Sequence, residues 1–335
     1  MTGFELYLKR QAKEFDEYLA TFFSDGTHPD MQRYLYGPLA RFSDNSGKRH
    51  RPLICLLACE AVGGDPELTR SSAAAIEHFH TAALIHDDIE DSSLTRRGEP
   101  CMHIAEGEGL AINAGDLALS LVTGTVVDDP HLDPETKLCV LHELVEMTTR
   151  TIEGQALDIG WARDGRFDIT VDDYLLMANH KTAFYSGAVP LAVGAIIGKG
   201  TAEQIEALRS FGMATGLAFQ IQDDVLNLVG TKESTKKDFR SDITEGKRTL
   251  VVVHALQNSP ARERLLEILS AKAHDPKVLA EAVEIMTQSG SVAFASDYGN
   301  RLVETAKREL DATLPKSRAK GLLLSMADFF IKRNN

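Results

Sequence analysis

The sequence predicts an all-α fold in one domain spanning residues 1–335, and three observations predict it. Apolar residues recur at three- and four-residue spacing, as at Ala73, Ile76, Phe79, Ala83 and Leu84. The apolar/polar alternation of a half-buried strand is almost absent. The breaks carry ordinary turn chemistry: Gly63-Gly64-Asp65-Pro66, Asp128-Asp129-Pro130, Asp164-Gly165, Gly198-Lys199-Gly200 and Ser259-Pro260.

In chain order, helical stripes cover 4–23, 53–62, 69–91, 110–127, 135–161, 171–197, 202–228, 249–257 and 278–313. Asp133 before Pro134, and Thr201 ahead of Gln204, are expected N-caps. "SGAVPLAVGAIIG" (186–198) and "GEGLAINAGDLALSLVTGTVV" (107–127) have almost no polar face. Such helices belong at a domain centre or an oligomer interface, and the small residues of the second let neighbours approach closely.

The chain has 335 residues, 43% hydrophobic and 25% charged, ordinary values for a soluble globular protein. A net charge of −13 argues against a nucleic-acid partner. Cys55, Cys59, Cys101 and Cys139 form no metal-ligand spacing and read as core residues in a reducing compartment. The N-terminus mixes acids with bases, unlike a signal or transit peptide. The longest apolar stretch, 188–198, falls short of the roughly 20 residues a bilayer span needs. The expected location is the cytoplasm, with no integral membrane segment.

"LIHDDIEDSSLTRRG" (84–98) ends an apolar run in Asp87, Asp88, Glu90 and Asp91, then Arg96 and Arg97. Asp87 and Asp91 share a helix face, where like charges repel. Hard divalent cations relieve that repulsion, because Mg²⁺ takes oxygen ligands and commonly shares one or two carboxylates with substrate phosphates. One such cluster is equally well a solvated helix end. A second favours the metal reading: "FQIQDDVLNLVG" puts Asp223 and Asp224 after another apolar helix, with Asn227 one turn on. Two such helix ends facing each other would hold several cations and one polyphosphate. "SGKRHRP" offers Lys48, Arg49 and Arg51 at a helix start suited to phosphate. Arg96 and Arg97 add to these, as do Lys181, Lys237 and Lys247 near other helix ends. The residues thus imply two phosphate sites, one bridged by metal and one held by cations alone, with apolar walls between.

The segments "GKRHRP", "HTAALIHDDIEDSSLTRRG", "AINAGD", "GQALD", "HKTA", "FQIQDD" and "EGKRTL", in this order over 47–250, resemble the motifs of the trans-isoprenyl diphosphate synthases, or polyprenyl synthetases. The resemblance implies an isoprenoid-synthase bundle of about 12–14 helices around a central cavity, usually a homodimer. It implies head-to-tail condensation of isopentenyl diphosphate with an allylic diphosphate. By resemblance, Asp87, Asp88 and Asp91 with Asp223 and Asp224 hold about three Mg²⁺ ions on the allylic diphosphate. Arg96 would contact that group. Lys48, Arg51, His80 and Arg97 would hold isopentenyl diphosphate, and Lys181, Thr182, Gln220, Lys237 and Lys247 would line the allylic side. Asp87, Asp88, Asp91, Asp223, Lys181 and Arg96 are the expected catalytic set. Asn227 departs from the pattern, standing where many members have a third aspartate, and Val251 replaces a frequent proline.

Members with an aromatic residue four or five positions before the first aspartate tend to stop at fifteen carbons. Ala82 and Ala83 occupy those positions here. Phe79, about 12 Å along the helix axis from Asp87, is the first bulky candidate for a floor. The expected product is geranylgeranyl diphosphate, with fifteen and twenty-five carbons as neighbouring outcomes. A class I terpene cyclase and a non-catalytic subunit of a heteromeric synthase are the rival readings. The paired aspartates and the intact "GKRHRP" and "RRG" argue against both.

Overall fold

The computed structural model describes residues 2–23, 26–44, 47–230 and 240–331. The chain forms two compact units: Met1–Glu146 with Pro190–Ile205 and Pro315–Leu323, and Met147–Val189 with Glu206–Leu314 and Leu324–Asn335. Both are helical. Lys237 lies outside the described residues.

In the first unit, α1 (Gly3–Ala20) opens on a reciprocal cap, in which Thr2 accepts from the Glu5 N–H and Glu5 from the Thr2 N–H. A wide π turn, Gln32–Tyr36, leads into α2 (Gly37–Asp44), followed by α3 (His50–Ala61). Helix α4 (Arg70–Glu90) packs closely along α5 (Glu108–Val127). They run antiparallel. Ser71 at the start of α4 donates to Asp129 just past α5, and His86 near the end of α4 lies 3.5 Å from the Ile112 carbonyl near the start of α5. Small side chains permit this: Ala111, Ala114 and Ala118 cluster with Ala82 and Ile85. A Cβ on Gly115 would lie 2.2 Å from the His86 ring, so a larger residue there requires that ring to move.

This close packing accounts for the small, apolar face of α5 that α4 covers, while the same helix leaves Ile112 and Val127 exposed. With 20 residues and a mean hydropathy of 1.5, it is long and apolar enough to cross a membrane by length and composition. That corrects the identification of 188–198 as the longest such stretch. The few polar residues of α5 are spaced too widely to break its average.

Helix α4 ends in a Schellman-type turn. Ser92 takes a left-handed φ of 52°, and the Ser93 N–H returns to the Asp88 carbonyl. A short hairpin follows, β1 (Thr95–Arg96) against β2 (Glu99–Pro100), with Arg96 opposite Glu99. Its two-residue turn, Arg97-Gly98, has positive φ at both positions, as a type I′ turn requires. The "RRG" motif is therefore a strand residue followed by a turn pair.

Helix α6 (Pro134–Arg163) begins in the first unit and ends in the second, and Asp133 caps its start as expected. In the second unit, α7 (Val171–Ala178) opens on a Thr170/Asp173 capping box and runs into a π-helical stretch, Asn179–Ala188. The helix continues as α8 (Val189–Ile197), which belongs to the first unit from Pro190. The long α9 (Ala202–Val229) follows, with Thr201 capping it as expected, then a short α10 (Ser241–Glu245) and α11 (Leu250–Asn258). The chain ends through α12 (Arg262–Ser270), α13 (Pro276–Gln288), α14 (Ser291–Thr313) and α15 (Arg318–Ile331). Tyr174, Ile221, Leu228, Leu250, Leu265 and Met286 form part of the second unit's core. The stripe expected over 278–313 is two helices, because Gly290 at φ 75° breaks it. Apolar faces continue on both sides of that turn, which hides it from a periodicity reading.

Candidate active site

The acidic end of α4 separates its carboxylates by environment. Asp88 is 1% exposed, while Asp87 is half-buried and Asp91, the C-cap, is exposed. Burying an ionised carboxylate requires a partner, and Arg96 supplies it. Its Nε donates to both Asp88 oxygens at 2.8 and 2.9 Å, and its Nη2 lies 3.4 Å from Asp87. The hairpin thus folds Arg96 back over the motif, closest to Asp88 and farther from Asp87.

A second group gathers around His80, on the same helix. The ring is buried, and burial followed by the charges of Arg51, His50 and Arg97 drives its pKa far below the ordinary range, so the imidazole is neutral. Partial burial and the charges of Arg49, Arg96 and Arg51 likewise lower the pKa of Arg97. Positive charge thus gathers around a neutral His80, which is the kind of surrounding a bound anion balances. Arg51 is buried beside His80, and Lys48 is exposed at the start of α3. Arg49 does not join them. Its guanidinium is committed to Asp16, Glu77 and the Ser43 carbonyl, which corrects its expected place among the phosphate cations.

The tail-length residues divide by face. Ala83 is partly exposed and Phe79 is 3% exposed, eight residues before Asp87. Ala82 is fully buried in the cluster with Met102 and Ala111. Of the two alanines, only Ala83 has surface for a tail.

In the second unit, Asp223 is exposed and Asp224 is buried. Neutral donors hold Asp224: the Tyr174 hydroxyl at 2.9 Å and the Gln220 amide at 2.8 Å, with the Thr182 hydroxyl donating to Gln220 at 3.0 Å. Burial, then Asp242 nearby, raises the Asp224 carboxyl well above the usual carboxylate range. Lys181 sits in the π-helical stretch and pairs with Asp158, the last residue of "GQALD". Gly154 opens that motif, where a Cβ would lie 2.3 Å from the Lys181 nitrogen, so glycine admits the wide turn. A cavity of about 80 Å³ is lined by Asp158, Lys181, Gln220, Asp224, Asp242 and Lys247, among others. Lys247 lies 2.8 Å from Glu245 and 3.9 Å from Asp242. Asn227 bonds to Ser241 and the Asp242 N–H, tying α9 to α10, which accounts for an amide where an acid was expected.

Sequence reasoning missed Tyr174, Asp242 and the structural use of Arg248, which bonds to the Arg166 and Gly246 carbonyls. Tyr174 falls on a core position of α7, so nothing in the pattern separates its hydroxyl from its ring.

Among the described residues, no three His, Cys, Asp or Glu side chains converge as a ready-made metal site. The donor set still fits magnesium. Mg²⁺ is usually bound through one or two carboxylates completed by substrate phosphates and water. Asp87 and Asp91 on one helix, and Asp223 on the other, are accessible hard-oxygen donors of that kind.

Comparison with known proteins agrees with this chemistry. The family model for polyprenyl synthetases matches residues 32–286. The chain is 43% identical, over 86% of its length and 87% of the relative's, to the short chain isoprenyl diphosphate synthase of Methanothermobacter thermautotrophicus. Its structure is similar to that of geranylgeranyl pyrophosphate synthetase from Pyrococcus horikoshii, with a TM-score of 0.91 and 34% identity over 98% of both chains. It is also similar to geranylgeranyl pyrophosphate synthase from Corynebacterium glutamicum, crystallised with isoprenyl diphosphate and magnesium, with a TM-score of 0.86 and 29% identity over 99% of both chains.

Proposed function

This chain belongs to the polyprenyl synthetase family, and from that premise we infer that its product is geranylgeranyl diphosphate. It is a short-chain trans-prenyl diphosphate synthase, a magnesium-dependent prenyltransferase acting on isoprenyl diphosphates. The observation behind the twenty-carbon product is Phe79. It is the first bulky side chain behind Asp87 on the face that also carries Ala83, and about 12 Å of helix separates it from the aspartate. Chromatography of the products tests this. Phe79→Ala should lengthen the product by one or more isoprene units, and Ala83→Phe should shorten it. Unchanged chain length in both variants overturns the assignment.

The roles of the residues are those the resemblance implies, and their environments support them. Asp87 and Asp91, with Asp223, would hold magnesium on the allylic diphosphate, three ions being the expected number. Asp88 and Asp224, also expected among the ligands, are held by Arg96 and by Tyr174 and Gln220. The metal, when bound, neutralises the charge that develops on the departing diphosphate. Arg96 adds a cation to that group, and Lys181, Thr182, Gln220 and Lys247 line the allylic side. Lys48, Arg51, His80 and Arg97 hold isopentenyl diphosphate. His80 is neutral and donates a hydrogen bond without adding charge. The apolar wall of Ala83 and Phe79 keeps water from the allylic cation. The departing diphosphate itself accepts the proton lost when the new bond forms. Incubation with labelled isopentenyl diphosphate, an allylic primer and Mg²⁺ separates the rivals. Prenyl diphosphate supports this reading, a hydrocarbon indicates a cyclase, and no turnover indicates a non-catalytic subunit.

A homodimer and a cytoplasmic location belong to the same reading. On α6, Leu138, Val145, Ile152 and Ile159 are exposed at seven-residue intervals, an apolar stripe suited to a second copy of the chain. Ile152→Glu should shift the species measured by light scattering from dimer to monomer. Cys55, Cys59 and Cys101 are buried as expected, whereas Cys139, read from the sequence as a core residue, is exposed, and buried thiols suit a reducing compartment.

A further inference from the structure

The segment before α3 carries three cations, and the structure uses them in two ways. Lys48 is exposed and Arg51 is buried beside His80, but Arg49 turns inward and its side chain is only 3% exposed. Its Nε donates to Asp16 on α1 at 2.5 Å, its Nη1 to Glu77 on α4 at 2.6 Å, and its Nη2 to the Ser43 carbonyl of α2. One guanidinium therefore joins three helices to the start of a fourth. Glu77 is as buried as Arg49 and lies one turn before His80. The backbone of Arg49 is left-handed, at φ 49° and ψ 31°, a conformation unfavourable for any residue but glycine and at times Asn or Asp. Such strain persists only where the surroundings over-determine it, and here three acceptors do so. This strained residue sits between Lys48 and Arg51 and sets the direction in which each leaves the chain.

We propose that Arg49 is a positioning residue for the cation-held diphosphate site: anchored by Asp16 and Glu77, it holds the left-handed turn from which Lys48 and Arg51 reach the same diphosphate as His80 and Arg97. The inference rests on the reading that those four residues bind isopentenyl diphosphate. It adds a residue that never touches the substrate. Arg49 acts on the placement of its neighbours, and its charge also offsets two carboxylates that would otherwise repel a diphosphate nearby. Lysine keeps the charge but lacks the planar fork that serves three acceptors at once.

The test is steady-state kinetics with the two substrates varied separately, alongside thermal unfolding, for wild type, Arg49→Ala, Arg49→Lys and Glu77→Gln. Arg49→Ala should raise KM for isopentenyl diphosphate by about tenfold or more, while KM for the allylic diphosphate stays within about twofold. Arg49→Lys should lie between alanine and wild type, and Glu77→Gln should give a smaller rise of the same kind. Equal rises in both KM values, or an isopentenyl KM that does not move, overturns the proposal and leaves Arg49 a structural residue. Should Arg49→Ala fail to fold, Arg49→Lys and Asp16→Asn carry the same measurement, since Asp16 is one-third exposed. A wild-type protein that does not consume isopentenyl diphosphate defeats the underlying reading. An active wild type with unmoved variants defeats only the role of Arg49.

Discussion

Helices α4 and α9 both end in paired aspartates, and each pair has one accessible and one buried member, but the two buried members are held by different physics. Asp88 is charge-paired, its carboxylate gripped by the Arg96 guanidinium. Asp224 is held by the neutral donors of Tyr174 and Gln220, and its pKa is pushed up. The first arrangement sets a cation against the buried carboxylate. The second surrounds it with neutral donors. The same two letters in the sequence, Asp-Asp, thus meet different partners. What the pairs share is the accessible member, Asp87 in one and Asp223 in the other.

The largest expected effect tests that shared feature. Asp87→Ala and Asp223→Ala should each lower kcat by on the order of 10²–10³-fold in prenyl transfer, with little change in thermal midpoint. If one of the two is inert, the pairs are not equivalent in their accessible members, and the metal reading holds for one helix only.

The next effect separates the buried members. Asp88→Asn removes the charge and one of the two oxygens that Arg96 grips, and breaking a buried ion pair costs about 3 kcal/mol or more. Tyr174→Phe removes one neutral donor from Asp224 and should cost less, about 1–3 kcal/mol, because the Gln220 bond remains. Urea unfolding of both variants gives the comparison directly. A larger loss for Tyr174→Phe than for Asp88→Asn would mean that the neutral network is the stronger clamp.

Much of this was legible in the sequence because it rests on local pattern. Helical period marked α4, α5, α6 and α9, and the acids and arginines of 84–98 announced a charged helix end. The caps at Asp133 and Thr201 followed from two residues each. What stayed hidden depends on tertiary contact. Nothing in "GKRHRP" distinguishes Arg49, buried among Asp16, Glu77 and Ser43, from its exposed neighbour Lys48. Ala82 and Ala83 look alike until α5 packs on one of them. Helix α12, RERLLEILS, is shorter than the window over which a helical period registers, although Leu265, Ile268 and Leu269 are buried in the second unit's core. Asn227 looked like a weakened ligand position and is a tie between two helices. Charge alone could not separate the two Asp-Asp pairs: Arg96 lies eight residues past Asp88, but the Tyr174 that helps hold Asp224 comes fifty residues before it.

A third way of burying a titratable group sharpens the contrast and gives the smallest effect. His78 on α4 is fully buried, packed edge-on against Phe22 and Phe23, and neither ring nitrogen has a hydrogen-bond partner among the described residues. It has neither an ion pair like Asp88 nor neutral donors like Asp224, so it folds uncharged, and burial lowers its pKa to about 3. The folded pKa lies below the unfolded one, so between the two the unfolded chain binds more protons than the folded chain. The contribution is fully present above the unfolded value of about 6.5 and is lost as pH falls, by about 1.4 kcal/mol per pH unit at its steepest. Near pH 6 the loss is about 1 kcal/mol. His78→Phe removes that proton and should flatten the acid limb of stability measured by urea midpoint between pH 7 and pH 5. An acid limb as steep in the variant as in wild type would mean that His78 finds a partner in solution, and the contrast would then be between two modes of burial only.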